Sequence, residues 1–245
     1  MSATRTHHGW IVLFKFGERE FLEDLRKHGL LYMNPSTRFA ELEQEALVTG
    51  SMANVARADR FEGTDFIYHP KEHEIIIEGP GALDSHGKPQ NFKVSIPPEE
   101  LAAHTSISLN ALSCNIYCMY ATTAPQRVDA RNFSFDNSFV IILNTLEFLR
   151  RFSFAANALG LKHECGLVDY YDLDKHSGPT GPFRKQSSFA YQNEFRLVVR
   201  PACGQARRLE IGNVEHITSE VLPLREINEL FDFSPEAAQK AGLSW

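Results

Sequence analysis

Cysteine is scarce in this chain. The four cysteines, Cys114, Cys118, Cys165 and Cys203, are spread over 245 residues. They are too few and too scattered for a disulfide scaffold and suit a reducing cytosol, so a cytoplasmic location is expected. No apolar run approaches the roughly 18 residues of a membrane span. The opening residues, MSATRTHHGW, lack the apolar stretch of a secretory signal, so no membrane partner is expected. Excess positive charge is also missing: 25 Lys and Arg face 31 Asp and Glu, a net charge of −6. That argues against a chain-wide nucleic-acid footprint and leaves room for a local basic groove. No glycine-rich phosphate loop, G-x-S-x-G elbow, H-E-x-x-H helix or pair of C-x-x-C motifs occurs. Structural zinc and the common hydrolase and nucleotide signatures are therefore not expected. Repeats, heptads and low-complexity stretches are absent as well.

What is present is an ordinary globular composition, 43% hydrophobic and 23% charged, which excludes wholesale disorder. The length allows a sizeable core. Residues 10–16 (WIVLFKF) have the length and apolarity of a strand. Residues 18–28 read as a helix: Phe21, Leu22 and Leu25 share a face, acids come early, Arg26, Lys27 and His28 come late, and Gly29 supplies the stop. A short strand at 30–33 follows. Residues 74–78 and 91–96 are strand-like and are expected to pair across a Gly/Pro-rich loop, EGPGALDSHGKPQ (78–90), which suits a mobile binding loop. Strands are also expected at 105–109, 138–143, 166–172, 189–199 and near 209–211. Residues 114–121 are apolar without a clear period. A helix from Asn144-x-x-Glu147 to about Leu159, with Leu149, Phe152 and Ala156 on one face, begins with a capping-box pattern. A last helix is expected at 224–231. Strands outnumber helices without regular alternation, which implies an α+β fold. No stretch is a clear interdomain linker, so one domain over 1–245 is expected, with a helical tail from about 223 that ends in Trp245.

Few residues stand out chemically. Cys114 and Cys118 share a helical spacing and read as two buried thiols. His69 and His73 flank Glu72 around Pro70, a solvated loop in preference to a metal site. Arg57, Asp59, Arg60 and Glu62 crowd into six residues, as a ligand-binding cluster or a charged turn. The segment YQNEFRLV (191–198) is the most informative. Read as a continuous strand, it places Gln192, Glu194 and Arg196 on one face, either lining a cleft or forming an exposed cross-strand salt bridge.

Four segments, in order, resemble a widespread bacterial family of unknown function: LFKF with the following helix and LLYMNPSTRF, then RADRFEG, then SCNIYCMYAT, then FRKQSSFAYQNEFRLVV, with IGNVEHI as a last element. The resemblance spans about residues 11–217. Its layout is similar to the ADP-ribosyltransferase fold, which implies a bent, split, mainly antiparallel β-sheet flanked by helices, with NAD as substrate in a cleft. The Gln192-Asn193-Glu194 triplet is similar to the Q-x-E motif of those enzymes. It implies Glu194 as the catalytic carboxylate and Gln192 as the residue that orients the nucleophile. Lys15, Tyr32, Arg57, Arg60, Tyr120 and Arg196 are the implied NAD-binding residues, with Lys15 on the first strand where such enzymes usually carry His or Arg. The resemblance further implies a toxin of antiphage or toxin–antitoxin systems, a nucleic-acid or protein acceptor, and an inhibitory partner protein. Residues 183–186 (FRKQ) read as an exposed basic and aromatic loop that could meet a nucleic-acid acceptor. Two other classes stay open: a non-catalytic module that binds a nucleotide or partner, and a nuclease that holds Mg²⁺ between Asp59, Glu62 and Glu194.

Overall fold

The computed structural model describes residues 11–38, 42, 61, 64–68, 75–83, 88–97, 105–107, 114–122, 127–134 and 136–231. The chain is mixed α+β, with a mainly antiparallel sheet and few helices, as expected. In chain order the elements are β1 (Val12–Gly17), α1 (Arg19–His28), β2 (Leu30–Pro35), β3 (Phe66–Tyr68), β4 (Ile75–Leu83), β5 (Pro89–Ile96), β6 (Thr105–Ile107), β7 (Asn115–Thr122), β8 (Ser138–Ile142) and α2 (Thr145–Ala158). They continue with β9 (Lys162–Leu167), β10 (Asp169–Tyr171), β11 (Gly178–Pro179), β12 (Arg184–Gln186), a 3-10 turn (Ser187–Gln192), β13 (Glu194–Arg200), β14 (Arg207–Glu210), β15 (Leu222–Pro223) and α3 (Ile227–Phe231). None of the described helices is long and apolar enough to cross a membrane.

An eight-stranded sheet forms the centre. Its middle strand is β7, which explains why residues 114–121 carry no period: β7 is buried on both faces apart from Cys118. One edge of β7 pairs antiparallel with β13, from Glu194 opposite Tyr120 to Val199 opposite Asn115. The other edge is divided. β1 takes its far end, with Phe14 opposite Tyr120, and β2 takes its near end, with Asn34 opposite Ile116. The sheet is therefore split where β1 and β2 diverge. Lys15 reaches into that gap, and its ammonium donates to the Cys118 carbonyl at 2.9 Å.

Helices cover one face of the sheet. The amphipathic spacing of α1 buries Leu22 and Leu25, and α2 buries Phe148, Phe152 and Ala156. These pack on Leu13, Met119, Val140, Phe195 and Leu197. Asn144 caps α2 by accepting from the Glu147 backbone N–H at 3.0 Å. The opposite face carries a second cluster around Phe14, Tyr120, Phe139 and Ile141, closed by Val128, Leu222, Leu224 and Ile227.

Several expected boundaries shift. The 78–90 segment is largely a hairpin and not a loop: β4 runs to Leu83 and β5 starts at Pro89, with Lys93 and Glu78 paired across it. The strand read at 166–172 is two strands, β9 and β10. The helix read at 224–231 is a 3-10 turn, Leu224–Glu226, followed by α3. The tail beyond 231 lies outside the described residues, as do His69, Glu72 and His73.

Gly29 ends α1 in the left-handed conformation, φ +66°, with its N–H on the Leu25 carbonyl at 2.8 Å. A methyl there would run into the Gly212 carbonyl oxygen, because the 211–214 segment docks on this turn. Gly160, after α2, has the same φ of +66° but open space around it. Gly160→Ala is expected to cost about 1–2 kcal/mol, the penalty of the left-handed backbone alone. Gly29→Ala is expected to cost clearly more. Chemical denaturation of both variants checks this, and equal losses would mean that the Gly29–Gly212 approach is not tight.

Candidate functional site

Residues 187–199 do not form one strand. The chain makes a 3-10 turn over Ser187–Gln192, passes through Asn193 at φ +40°, and only then enters β13 at Glu194. Asparagine tolerates this left-handed region better than other non-glycine residues. Its own N–H closes the turn on the Ala190 carbonyl at 3.2 Å, while its carbonyl accepts from Ala121 at 2.8 Å. Gln192 therefore does not reach Glu194 by strand alternation, which corrects the sequence expectation. Alternation holds for Glu194 and Arg196, which share the face of β13 opposite Phe195 and Leu197.

The strand alone would leave a carboxylate on the face of an almost wholly buried element. Two cations resolve that. Arg196 donates from Nε to Glu194 Oε2 at 2.7 Å, and Lys185 donates from Nζ to Glu194 Oε1 at 2.7 Å. The same ammonium donates to Gln192 Oε1 at 2.7 Å, so Lys185 brings Gln192 to the carboxylate. The Glu194 backbone N–H donates to the Tyr170 hydroxyl at 2.9 Å, and its carbonyl accepts from Val168 at 2.9 Å. Lys185 is 3% exposed, Arg196 1% and Glu194 8%. This is neither an exposed sheet face nor an open cleft; it is a buried ion cluster covered by residues 182–192.

Burial alone would push the Glu194 carboxyl up, but the Arg196 and Lys185 charges and their hydrogen bonds outweigh it. The group is held well below the usual carboxylate range and stays ionised at neutral pH. Burial, followed by the Glu194 charge, pushes the Tyr170 phenol up, so Tyr170 remains a neutral hydroxyl.

The other expected residues divide sharply. Tyr120 is the cross-strand partner of Glu194 and shares its face. Its hydroxyl accepts from Asn193 Nδ2 at 3.3 Å, and Phe16 stacks on its ring at 5.6 Å. Lys15 has the parity of Leu13, and its ammonium lies 4.5 Å from the Tyr117 ring, on the helix-covered face. It stands across the sheet from Glu194, which corrects its expected place beside the same ligand. Tyr32 is 53% exposed on β2, opposite Arg208, and makes no described contact with the cluster. Arg57, Arg60, Asp59 and Glu62 lie outside the described residues, so Glu194 is the one described acid of the expected nuclease trio. Among the described residues no group of three or more His, Cys, Asp or Glu gathers for a metal.

Sequence reasoning missed Tyr170 and misplaced Lys185. Residues 183–186 were expected to be an exposed loop, but Phe183 packs against Cys114, Ile116 and Val198, and Lys185 is buried. The available signal was a carboxylate in an apolar strand: such a group needs cations, and Lys185 is a near upstream one.

Removing the Glu194 charge leaves Lys185 and Arg196 facing one anion fewer in a buried place. Glu194→Gln is therefore expected to lose about 3–5 kcal/mol of stability at pH 7. Because the folded carboxyl is depressed, its contribution is fully present above the unfolded value of about 4.3 and fades as acid carries the pH below it. The gap between wild type and variant is expected to start narrowing near about pH 4 and to go on narrowing as the pH falls, as read by urea unfolding from pH 7 down to 2.5. A gap that does not change with pH would contradict the ion pairing.

Comparison with known proteins gave no match: no family model, no curated protein and no solved structure matches the chain.

Proposed function

We propose that the chain is an NAD-dependent ADP-ribosyltransferase with Glu194 as its reacting carboxylate. The observation that carries this is the position of that group. A Glu held ionised at neutral pH begins a late strand, β13, one strand away from the place where β1 and β2 part along β7. An ADP-ribosyltransferase-like fold calls for such a split and such a carboxylate.

The chemistry suits the group. Breaking the bond between ribose C1′ and nicotinamide sends the electron pair to the nicotinamide nitrogen and leaves positive charge on the ribose. A fixed anion stabilises that state, and it can accept a hydrogen bond from a ribose hydroxyl. The acceptor's lone pair then forms the new bond to C1′, and its proton is released. Gln192, held near Glu194 through Lys185, is the residue that would orient the acceptor. Tyr120, expected to bind NAD, is buried between Phe14 and Phe16, so of these rings only the partly buried Phe16 is left to meet nicotinamide. Arg196 fixes the carboxylate, which gives it a positioning role and not one in binding pyrophosphate. A nucleic-acid or protein acceptor, a role as a defence toxin and control by an inhibitory protein belong to the same proposal and follow from the resemblance.

One observation favours a second class. Both carboxylate oxygens are already occupied by cations of the chain, as suits a non-catalytic module stabilised by a buried ion cluster. Nicotinamide release from NAD by the purified protein separates the two. ADP-ribosyl chemistry predicts release that falls about 10²–10³-fold in Glu194→Gln, the loss typical of deleting one electrostatic stabiliser. The assay is run well below the melting temperature of the variant and scaled to its folded fraction. Gln192→Ala is expected to impair transfer to an acceptor more than release to water. No release by folded wild type, or equal release by Glu194→Gln, would falsify the role.

A further inference from the structure

Residues 182–192 cross the Glu194 face of the sheet and are tied down at both ends and in the middle. At the start, Arg196 Nη1 donates to the Pro182 carbonyl at 2.6 Å. In the middle, Lys185 Nζ holds both Glu194 and Gln192 and sits 4.7 Å from the Phe189 ring. At the end, Asn132 Nδ2 donates to the Tyr191 carbonyl at 2.8 Å, and the Arg131 guanidinium lies 4.0 Å over the Tyr191 ring. The strand β12 within this stretch pairs with β10, with Lys185 opposite Tyr170, whose hydroxyl in turn receives the Glu194 N–H. The carboxylate is thus enclosed by its own upstream chain.

We infer that residues 182–192 form a strap held shut over Glu194 by Lys185, and that a substrate meets the carboxylate only when the strap lifts. This deepens the proposed function and rests on Glu194 being the reacting group. Lifting exchanges the Lys185–Glu194 pair for solvent, and Asn193 in its left-handed conformation is the joint between the strap and the rigid strand β13. The anchor at the far end is independent of the chemistry. Asn132 is buried, 1% exposed, on the 3-10 turn Ala130–Ser134, and touches neither Glu194 nor Gln192 through any described bond. Weakening that anchor should raise the open population without altering the carboxylate. Where only the open form reacts, its rate scales with the open fraction.

The test uses the full chain and two readouts that need no NAD: amide exchange at residues 186–192, and the rate at which a water-soluble carbodiimide with an amine labels Glu194. In wild type, Glu194 is expected to label at least about 100-fold more slowly than the exposed Glu220, in step with the protection of the strap amides. Asn132→Ala should raise exchange and labelling by the same factor, about tenfold, and Lys185→Met should raise exchange further. Labelling of wild-type Glu194 as fast as Glu220, or faster exchange in Asn132→Ala with unchanged labelling, would overturn the strap. If exchange and labelling behave as expected and no variant releases nicotinamide, the strap stands and the ADP-ribosyl assignment falls. If wild type does release nicotinamide, kcat/KM in Asn132→Ala should rise by the labelling factor, and an unchanged kcat/KM would overturn the gating role.

Discussion

Both edges of β7 are in use, and one of them is shared. β13 occupies one side along most of the strand, while β1 and β2 divide the other between its two ends. The strands β1 and β2 are joined through α1 and run parallel, so neither can close the gap by pairing with the other in a tight hairpin. Residues 117–119 then face an interruption in the ladder. A buried carbonyl without a donor is costly, about 1–3 kcal/mol, and the Lys15 ammonium meets the Cys118 carbonyl there. Much of the molecule follows from this division. α1 must turn back sharply enough to return the chain to β7, which is why Gly29 sits so close to Gly212. The helical layer buries the face that both halves share, and the opposite face is left for Tyr120, Glu194 and Arg196.

On that opposite face, packing alone does not suffice. β13 lies between β7 and β9 and is buried along nearly its whole length. Two of its inward residues are charged. An isolated carboxylate or guanidinium in such a place would be untenable, so the cluster holds only as a set. Arg196 comes from the same strand at the alternation distance and needs no further chain. Lys185 comes from the strap and makes the fold of residues 182–192 a condition for burying Glu194. An ion cluster of this kind contributes little net stability compared with apolar residues of the same volume, but breaking it is expensive. It therefore specifies the path of the strap more than it strengthens the molecule.

Legibility in the sequence tracks how local the deciding interaction is. The helix at 19–28 was readable because its apolar spacing, charge asymmetry and terminal glycine all lie within a dozen residues. So was the cap at Asn144, whose partner N–H is three residues on. The pairing of β4 with β5 was readable for the same reason, although the strand extends through Gly79, Pro80 and Gly81, where composition suggests a loop. The extent of β13 was not readable. Residues 189–192 carry Phe, Ala and Tyr in a pattern that suits a strand, and a left-handed Asn193 joined to Ala121, far away in sequence, breaks it. Lys15 was misassigned because its strand was right but its face was not: parity fixes only that Leu13 and Lys15 share a side, and the helices decide which side is which. Glu194 and Arg196 were found as a pair because two residues on one strand is a local relation. Lys185 and Tyr170 approach them through chain crossings that no spacing rule encodes.

The same contacts explain how an ionised carboxylate could be kept ready and yet out of reach. The proposed chemistry requires Glu194 to stay unprotonated, and Arg196 contributes to that from within the strand. Lys185 adds to the effect but has a second consequence, since it occupies the remaining oxygen and carries the covering chain with it. The two cations therefore have separable effects although they bind one group at equal distances. Arg196 is fixed by β13 and cannot leave without unfolding the sheet. Lys185 sits on β12, a strand of three residues that among the described strands pairs with the equally short β10 and not with the central sheet. A short local pairing set over the buried Glu194 carboxylate is what the proposed opening requires.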